Sequence, residues 1–225
     1  MIIAVDGTSG SGKSSLCKKL AKHLGFAYLN SGSIYRAFAL KCLEQNISSP
    51  NKKSVTNIIL NNTQINIENV DGEGVIVLDG KVVTQELRTP EVTAVVSKIS
   101  PIKQLRDYAQ KLQHDFAKKC KNVVVEGRDI GSVVFPNADL KIFITAQIDE
   151  RARRRQKDYL KLGKNLSIDQ IKAELEERDR EDSTRKISPL TIPDGALIFD
   201  TTNINEQEST AELIRQVEQL IKKHS

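Results

Sequence analysis

The sequence predicts an α/β fold in which a parallel sheet is flanked by helices. Three observations lead to this prediction. Short apolar runs alternate with longer amphipathic stretches, a glycine-rich loop joins the first apolar run to the first amphipathic one, and a single block near residues 63–83 has a different, alternating texture. A chain of 225 residues is long enough for one such domain with a sizeable core, and a second full domain is not expected.

The first half of the chain supplies two strand and helix pairs and then a change of pattern. We predict a strand near 2–6, a helix at 13–24, a short strand FAYL at 26–29 and a helix at 32–45. From 63 to 83, TQINIEN, GVIVLDG and KVVT alternate between apolar and polar residues and are separated by DGEG and DGK. These turn signals predict a small antiparallel β insert.

The second half returns to the first pattern. Helical spacing recurs at 90–99 and 102–118, and the apolar runs VVVE (123–126) and LKIFIT (140–145) are typical of buried strands of a main sheet. These segments predict that the core resumes after the insert.

The most charged part of the chain lies between residues 150 and 185. Apolar residues recur at helical spacing among the charges, and Gly-Lys-Asn at 163–165 interrupts the pattern, so a helix-turn-helix flap is favoured over disorder. A last strand, ALIFD at 196–200, and a last helix at about 206–223 complete the predicted fold.

The loop GTSGSGKSS carries the clearest chemical signal. It fits the pattern G-x-x-x-x-G-K-[ST] and lies between a predicted strand and a predicted helix, the context in which backbone N–H groups cradle the phosphates of a nucleotide. In that geometry Lys13 reaches the β- and γ-phosphates, and the Ser14 hydroxyl is a Mg²⁺ ligand. The predicted ATP-binding residues are Gly7, Thr8, Ser9, Gly10, Ser11, Gly12, Lys13, Ser14 and Ser15.

Composition limits the class of protein less sharply. The net charge of +5 suits a nucleic-acid binder or an enzyme of polyanionic substrates equally. Cys17, Cys42 and Cys120 are far apart and no histidine cluster could complete a zinc site, so we expect reduced thiols. There is no charged-then-apolar leader, and no apolar run near the roughly 20 residues of a membrane span, so we expect a soluble cytoplasmic protein.

Two arginines follow predicted strands. Arg36 comes shortly after the second strand, and Arg128 follows VVVE directly in the run Gly127-Arg128-Asp129. Because ligands of open parallel sheets bind beyond the carboxyl ends of the strands, both segments should face the phosphate loop. Either arginine alone could equally be a solvated surface charge.

The charged flap contains further candidates. Arg178, Asp182 and Arg185 share one helix face, and the guanidiniums of the other half of the flap suit phosphate oxygens. A surface salt-bridge ladder and a basic solvated face are the alternative interpretations. Those guanidiniums belong to Arg151, Arg154 and Arg155.

Several blocks of the sequence occur in the order of one family. The chain resembles the bacterial cytidylate kinases of the P-loop nucleoside monophosphate kinase superfamily over essentially its whole length. The blocks are DGTSGSGKSS, NSGSIYRAFAL, LRTPEV, EGRDIGSVVFPNADLKIFITA, ERARRR, ERDREDSTRKISPL and FDTT.

The resemblance implies a role for each matching position. Phosphoryl transfer would depend on Lys13, Arg36, Arg128, Arg151, Arg154 and Arg155, with Arg36 and Arg128 on the acceptor phosphate and the other arginines near the donor phosphates. Ser31 and Tyr35 would line the acceptor site. The cytosine would be surrounded by Ser97, Arg106, Asp129 and Arg185, and the ribose would contact Arg178 and Asp182.

The resemblance also implies the organisation of the chain and its partners. One kinase domain (1–225) would comprise a core (about 1–56, 101–149 and 186–225), a monophosphate-binding insert (about 57–100) and a lid (about 150–185). The substrates would be ATP, with Mg²⁺, and CMP or dCMP, and we expect a monomer that binds neither nucleic acid nor membrane. Asn30 stands where the family usually has aspartate, and Glu126 is the nearest candidate for an acidic residue of Walker-B type.

The remaining alternatives have less support in the sequence. A P-loop GTPase would need an N-K-x-D guanine-reading element, which we do not find, and a nucleic-acid-binding module would need a recognition motif and more aromatic residues than 4%. A P-loop kinase of another small acceptor, such as UMP, AMP or a shikimate-like metabolite, is the main alternative, and the β insert and the second-half motifs argue against it.

Overall fold

The computed structural model of the chain describes residues 1–47, 52–161 and 163–224. The predicted mixed architecture is confirmed, with helices on both faces of a mostly parallel sheet. The strands are β1 (Ile2–Gly7), β2 (Ala27–Asn30), β3 (Ile65–Val70), β4 (Glu73–Leu78), β5 (Lys81–Val83), β6 (Val123–Glu126), β7 (Leu140–Thr145) and β8 (Leu197–Asp200). The helices are α1 (Lys13–Leu24), α2 (Gly32–Glu44), α3 (Lys52–Asn61), α4 (Pro90–Ile99), α5 (Lys103–Cys120), α6 (Ile148–Lys161), α7 (Ile168–Thr184) and α8 (Glu206–His224).

The order of the strands brings the chemically interesting loops to one edge. Within the described residues the order is β3-β4-β2-β6-β1-β7-β8, and β5 pairs with β4. The strands from β2 to β8 in this order are parallel, so their carboxyl ends lie at the same edge of the sheet. The loops that follow β1, β2 and β6 therefore meet there, as the sequence predicts for the phosphate loop and the two strand-end arginines.

The sheet separates two apolar layers. Leu29, Val123 and Val125 face a cluster that also includes buried residues of α2 to α5. The neighbouring positions Tyr28 and Val124 point to the other face, where they pack with α1 and α8. Because successive side chains of a strand point to opposite faces, a short strand with no polar residue between its apolar ones must be buried on both sides.

Two features of the fold go beyond the sequence prediction. Helix α3 was not predicted; its Val55 and Ile59 are fully buried, four residues apart, in the layer that α2 and α5 also line. The helix propensity of KKSVTNIILN is low, so packing rather than local preference stabilises it. The antiparallel hairpin β3–β4 is confirmed, but it continues the main sheet because Glu73 of β4 pairs with Tyr28 of β2.

The described residues bear on two further expectations. None of their helices is both long enough and apolar enough to cross a membrane. The three cysteines are free thiols, two of them buried.

Candidate active site

The phosphate loop follows the buried strand β1 and leads directly into α1. Gly7 is required by a close approach, because a Cβ atom there would lie 1.9 Å from the carbonyl oxygen of Ile144 on β7. Gly12, immediately before α1, has φ of +86°, a left-handed conformation that glycine adopts without strain. The loop therefore has the strand, turn and helix context that the motif requires.

Lys13 is buried inside this loop. Its ammonium group donates to the carbonyl oxygen of Thr8 at 2.7 Å, and the Ser11 hydroxyl donates to the same oxygen at 3.0 Å. Burial, together with the positive charge of Arg128, lowers the pKa of Lys13 from 10.5 to about 7. A phosphate beside this ammonium group would favour its charged form.

A cleft of about 400 Å³ runs from the phosphate loop to the carboxyl ends of β2 and β6. Among the described residues, eight basic side chains and four acidic ones line it, so the cleft carries a positive excess that suits a polyanionic ligand. The basic residues are Lys13, Arg36, Arg106, Arg128, Arg154, Arg155, Arg178 and Arg185. The acidic residues are Glu126, Asp129, Asp158 and Asp182.

At the end of the cleft remote from α1, alternating charges form a network. Arg106 Nη1 donates to Asp129 Oδ2 at 2.9 Å, and Arg185 Nη2 lies 3.9 Å from the other oxygen of Asp129. Arg185 also donates to Asp182, whose second oxygen accepts a hydrogen bond from Arg128 Nε at 2.8 Å. The network keeps three guanidiniums in fixed positions, and the buried Nε of Arg106 and Nη2 of Arg185 have no hydrogen-bond partner among the residues that the structure describes. Unsatisfied buried donors of this kind are expected where a ligand completes the site.

Beside this network, Arg36, Arg155 and Arg178 lie close enough for their charges to affect one another. Arg36 Nη1 donates to the carbonyl oxygen of Leu87 and to Thr93 Oγ1. Burial lowers the pKa of Arg178 to about 10, and the positive charges of Arg128, Arg36 and Arg155 contribute to the same shift. An anion bound between such like charges would stabilise them.

A buried carboxylate fixes the backbone that carries Arg128 and Asp129. Asp6, the residue before the phosphate loop, accepts the N–H groups of Ile130 and Gly131, each at 2.7 Å. Burial raises the pKa of Asp6 to about 6. These two bonds tie the phosphate loop to the Arg128 segment, so the two ends of the cleft are held at a fixed separation.

Glu126 ends β6 and lines the cleft. Its Oε1 accepts hydrogen bonds from the Tyr28 hydroxyl at 2.5 Å and from Asn30 Nδ2 at 2.8 Å. Ser31 is held at the same point, because its N–H donates to the carbonyl oxygen of Glu126 at 3.0 Å; its Oγ lies so close to Gly127 that a Cβ atom there would be only 2.4 Å away. The amide of Asn30 thus donates to Glu126, whereas an aspartate at this position would set two carboxylates against each other.

The lid arginines divide into two kinds. Arg154 and Arg155 line the cleft; Arg154 bonds to Glu150 and Thr201, and a Cβ atom on Gly12 would lie 3.7 Å from its Nη1. Arg151 is buried beneath the loop instead, where it donates to the carbonyl oxygens of Ala146 and Ser9 and to Asp179. That Arg151 lies near the donor phosphates stays a prediction; in the free protein its Nε and Nη1 atoms are bonded to groups of the protein itself.

Most of the other sequence candidates converge on the cleft. Ser14 and Ser15 line it at the start of α1, and Ser31 and Tyr35 line it at the start of α2. Tyr35 also lies under the Arg106 guanidinium, 5.4 Å from ring centroid to Cζ. Ser97 is exposed on α4, in a hollow next to the cleft that Arg178 and Arg185 also line. Gly7 and Thr8 shape the loop from behind without lining the cleft.

Sequence reasoning missed Asp6, Asp158 and Asp179. Asp6 is the only acid in the otherwise apolar strand β1, and it could have been noticed as a group that needs a buried partner. Asp179 lies beside the motif residues Arg178 and Asp182, but its contact with a loop 170 residues earlier has no local signal.

A phosphate loop and two groups of arginines around one cleft at the carboxyl edge of a parallel sheet define a P-loop kinase. The chain belongs to the cytidylate kinase family, since the family model described as "Cytidylate kinase" matches residues 3–219.

Individual relatives agree with this assignment over nearly their full length. The chain is 42% identical over 206 residues to a cytidylate kinase of Caldicellulosiruptor bescii, which covers 92% of this chain and 90% of that protein. It is 42% identical over 223 residues to a cytidylate kinase of Caldanaerobacter subterraneus subsp. tengcongensis, which covers 99% and 95%.

Solved structures support the fold. TT1252 from Thermus thermophilus aligns with a TM-score of 0.50 at 15% identity, covering 96% of this chain and 95% of that one. An uncharacterized protein from Eubacterium ventriosum aligns with a TM-score of 0.53 at 12% identity, covering 97% and 98%.

Proposed function

We propose that the protein transfers the γ-phosphoryl group of ATP to CMP or dCMP, giving CDP or dCDP. The observation that carries the proposal is the single cleft of a cytidylate kinase family member, with the phosphate loop at one end and the Arg106–Asp129–Arg185 network at the other. ATP would bind at the loop, and the pyrimidine would bind at the network. The two phosphate groups would then meet between Lys13 and Arg128.

Positively charged guanidiniums and negatively charged carboxylates would hold the acceptor together. The Arg36 and Arg128 guanidiniums would bind the acceptor phosphate, and Arg178 and Asp182 would contact the ribose. Cytosine has an amino donor at C4 and acceptors at N3 and O2, which the Asp129 carboxylate and the guanidiniums of Arg106 and Arg185 can satisfy. The buried donors of this network that lack a protein partner support such a ligand.

Catalysis would come from positioning and charge. Phosphoryl transfer needs little covalent chemistry from the protein, so holding donor and acceptor in line and stabilising charge on the transferred group supply most of the acceleration. Lys13 and the lid arginines Arg154 and Arg155 would stabilise this charge. Closure of the lid over both nucleotides would exclude water that otherwise hydrolyses ATP.

The site also fits Mg²⁺ bound together with ATP. Ser14 places a hydroxyl in the cleft and Glu126 places a carboxylate there, and hard oxygen ligands of this kind suit Mg²⁺. Within the described ranges no group of three or more His, Cys, Asp and Glu side chains is arranged to hold a metal ion. Oxygens of ATP and water would complete the coordination, and the bound ion would neutralise phosphate charge.

One assay tests the proposal against its alternatives. Release of ADP is measured with CMP, dCMP, UMP, AMP and shikimate as acceptors. We expect CMP and dCMP to be phosphorylated with the highest kcat/KM. A higher kcat/KM for UMP, AMP or shikimate would overturn the acceptor assignment. The cytoplasmic location and the monomeric state remain predictions.

A further inference from the structure

The peptide group between Thr8 and Ser9 is held from both sides. Its carbonyl oxygen, that of Thr8, accepts the Lys13 ammonium at 2.7 Å. Its N–H, that of Ser9, donates to Asp179 Oδ1 at 2.9 Å. The carboxylate of Asp179 and the ammonium of Lys13 therefore fix the orientation of one peptide plane at the start of the phosphate loop.

The carbonyl group of Ser9, the next one along the loop, is held by Arg151, the residue that pairs with Asp179. Arg151 Nη1 donates to the Ser9 carbonyl oxygen at 2.9 Å and to Asp179 Oδ2 at 2.5 Å, and its Nε donates to the Ala146 carbonyl oxygen. Only 9% of the Arg151 side chain and 18% of the Asp179 side chain are exposed. The pair thus satisfies both backbone groups of Ser9 in a largely dry environment, where hydrogen bonds to charged groups are strong.

The two side chains come from the two helices of the lid. Arg151 lies in α6 and Asp179 in α7, and these helices pack together through Ala152, Ile171 and Leu175. This packed part of α6 and α7 is the base of the lid. The phosphate loop lies against it, because a Cβ atom on Gly10 would be 3.5 Å from both Arg151 Cβ and Leu175 Cδ2. The base of the lid is therefore attached to the phosphate loop.

Groups that line the cleft stand one turn further along the same helices. Arg154 and Arg155 follow Arg151 by three and four residues, and Asp182 follows Asp179 by three, so each pair shares a helix face. A shift of the Arg151–Asp179 pair would change both the loop and the direction of these cleft groups.

We propose that Asp179, together with Arg151, is a positioning residue that sets the conformation of the phosphate loop for ATP and contacts no phosphate itself. The inference rests on the proposed function, since it takes ATP to bind at this loop. Without the Asp179 carboxylate the Thr8–Ser9 peptide loses its restraint opposite Lys13, and the inward direction of the following N–H groups, on which phosphate binding depends, is no longer fixed.

The test compares Asp179→Asn with Glu177→Gln. Asparagine has nearly the same shape, but its amide nitrogen must face either the Ser9 N–H or the Arg151 guanidinium, which sets donor against donor. Glu177 lies on the same helix, is exposed and pairs with Arg180 within α7, so its substitution removes a negative charge without removing a hydrogen bond of the loop. Affinities are measured by titration with a fluorescent ATP analogue alone and with CMP alone, next to the thermal unfolding of each variant.

We expect Asp179→Asn to weaken binding of the ATP analogue by about tenfold to a hundredfold, the range for one lost buried bond to a charged group. CMP binding should change less than about threefold, and Glu177→Gln should change neither. Equal losses for the two nucleotides, or no loss for the ATP analogue, would overturn the inference. Tighter ATP binding would also overturn it, since the carboxylate would then compete with phosphate for the loop.

A second variant and a measurement on the unmodified protein distinguish the positioning role from the proposed function. If Asp179→Asn unfolds, Arg151→Lys replaces it, because lysine keeps the charge but cannot serve Ala146, Ser9 and Asp179 together; the same selective loss of ATP binding is expected. Failure of the unmodified protein to bind the ATP analogue would refute the proposed function, whereas normal binding in both variants would refute only the positioning role.

Discussion

Replacement of Asp129 by asparagine should change which pyrimidine the protein phosphorylates. The side chain is 9% exposed and lies between Arg106 and Arg185, and in the proposed function its carboxylate accepts the C4 amino group of cytosine. Uracil has a carbonyl oxygen at C4, which would face the carboxylate as acceptor against acceptor. Asparagine can keep its oxygen on Arg106 and turn its amide N–H groups towards the base, so it should accept uracil in place of cytosine.

The magnitude follows from the bonds exchanged. CMP would lose a hydrogen bond to a charged group, about 1.5–3 kcal/mol, and UMP would lose an unfavourable contact of about 1–2 kcal/mol. Together these predict that the ratio of kcat/KM for CMP to that for UMP falls by about a hundredfold to several thousandfold. Alanine is a less suitable replacement because it removes the hydrogen-bond acceptor of Arg106 as well as the charge, whereas asparagine keeps an acceptor oxygen; removal of one partner from a buried ion pair costs about 3–5 kcal/mol of stability.

The assay follows ADP release at low acceptor concentration with CMP and with UMP. Asp107→Asn is the matched control, because Asp107 is exposed on α5 next to Arg106 and pairs with Lys103. Thermal unfolding of both variants separates a loss of fold from a loss of recognition. If Asp129→Asn lowers kcat/KM for CMP and UMP by the same factor, Asp129 does not recognise the base.

Three further predictions concern the donor end and the lid. Lys13→Ala should lower kcat at least about a hundredfold while circular dichroism shows an unchanged fold, because the cleft loses the ammonium nearest the donor phosphates; near-normal turnover would contradict this role. Because burial holds the pKa of Lys13 at about 7 and bound phosphate should raise it, ATP binding should take up a proton above pH 7 and weaken as pH rises, by up to about tenfold per unit. Calorimetry in two buffers of different ionisation heat measures the uptake, and none at pH 8 would refute it. Residues 150–185 should gain more hydrogen-exchange protection with a bisubstrate analogue than with ATP alone, and equal protection would disprove the coupling of closure to both substrates.

The parts of the site predicted from sequence are those encoded by short motifs. The phosphate loop follows from the spacing of Gly7, Gly12 and Lys13, and the positions of Arg36 and Arg128 follow from their place after predicted strands. These predictions succeed because parallel strands bring their carboxyl ends to one edge whatever the details of packing. The lid was also predictable as two helices, because apolar residues recur at helical spacing in it despite its many charged residues.

The contacts that organise these motifs were not predictable. Asp6 reaches Ile130 and Gly131, and Asp179 reaches Ser9, across separations of 124 to 170 residues. Arg151 belongs to the same motif and the same face of α6 as Arg154 and Arg155, but it lies one turn earlier, where its side chain is buried against the phosphate loop, while the other two line the cleft. The spacing of a helical arginine motif gives the shared face, but it does not say which turn of the helix contacts the loop.

The arginines of the cleft show how the fold keeps an anion site ready. Arg128 is compensated by Asp182 and Arg106 by Asp129, so both guanidiniums are held in place before a ligand arrives. Arg178 is different: burial and three neighbouring guanidiniums lower its pKa to about 10 although Asp182 opposes the shift, so its charged form still dominates at neutral pH but is less stable than in water. Binding of a phosphate dianion would remove this penalty as well as form new hydrogen bonds. In the proposed function, part of the affinity for the acceptor would come from relief of this repulsion, while Asp182 and Asp129 hold Arg128 and Arg106 in place before the ligand binds.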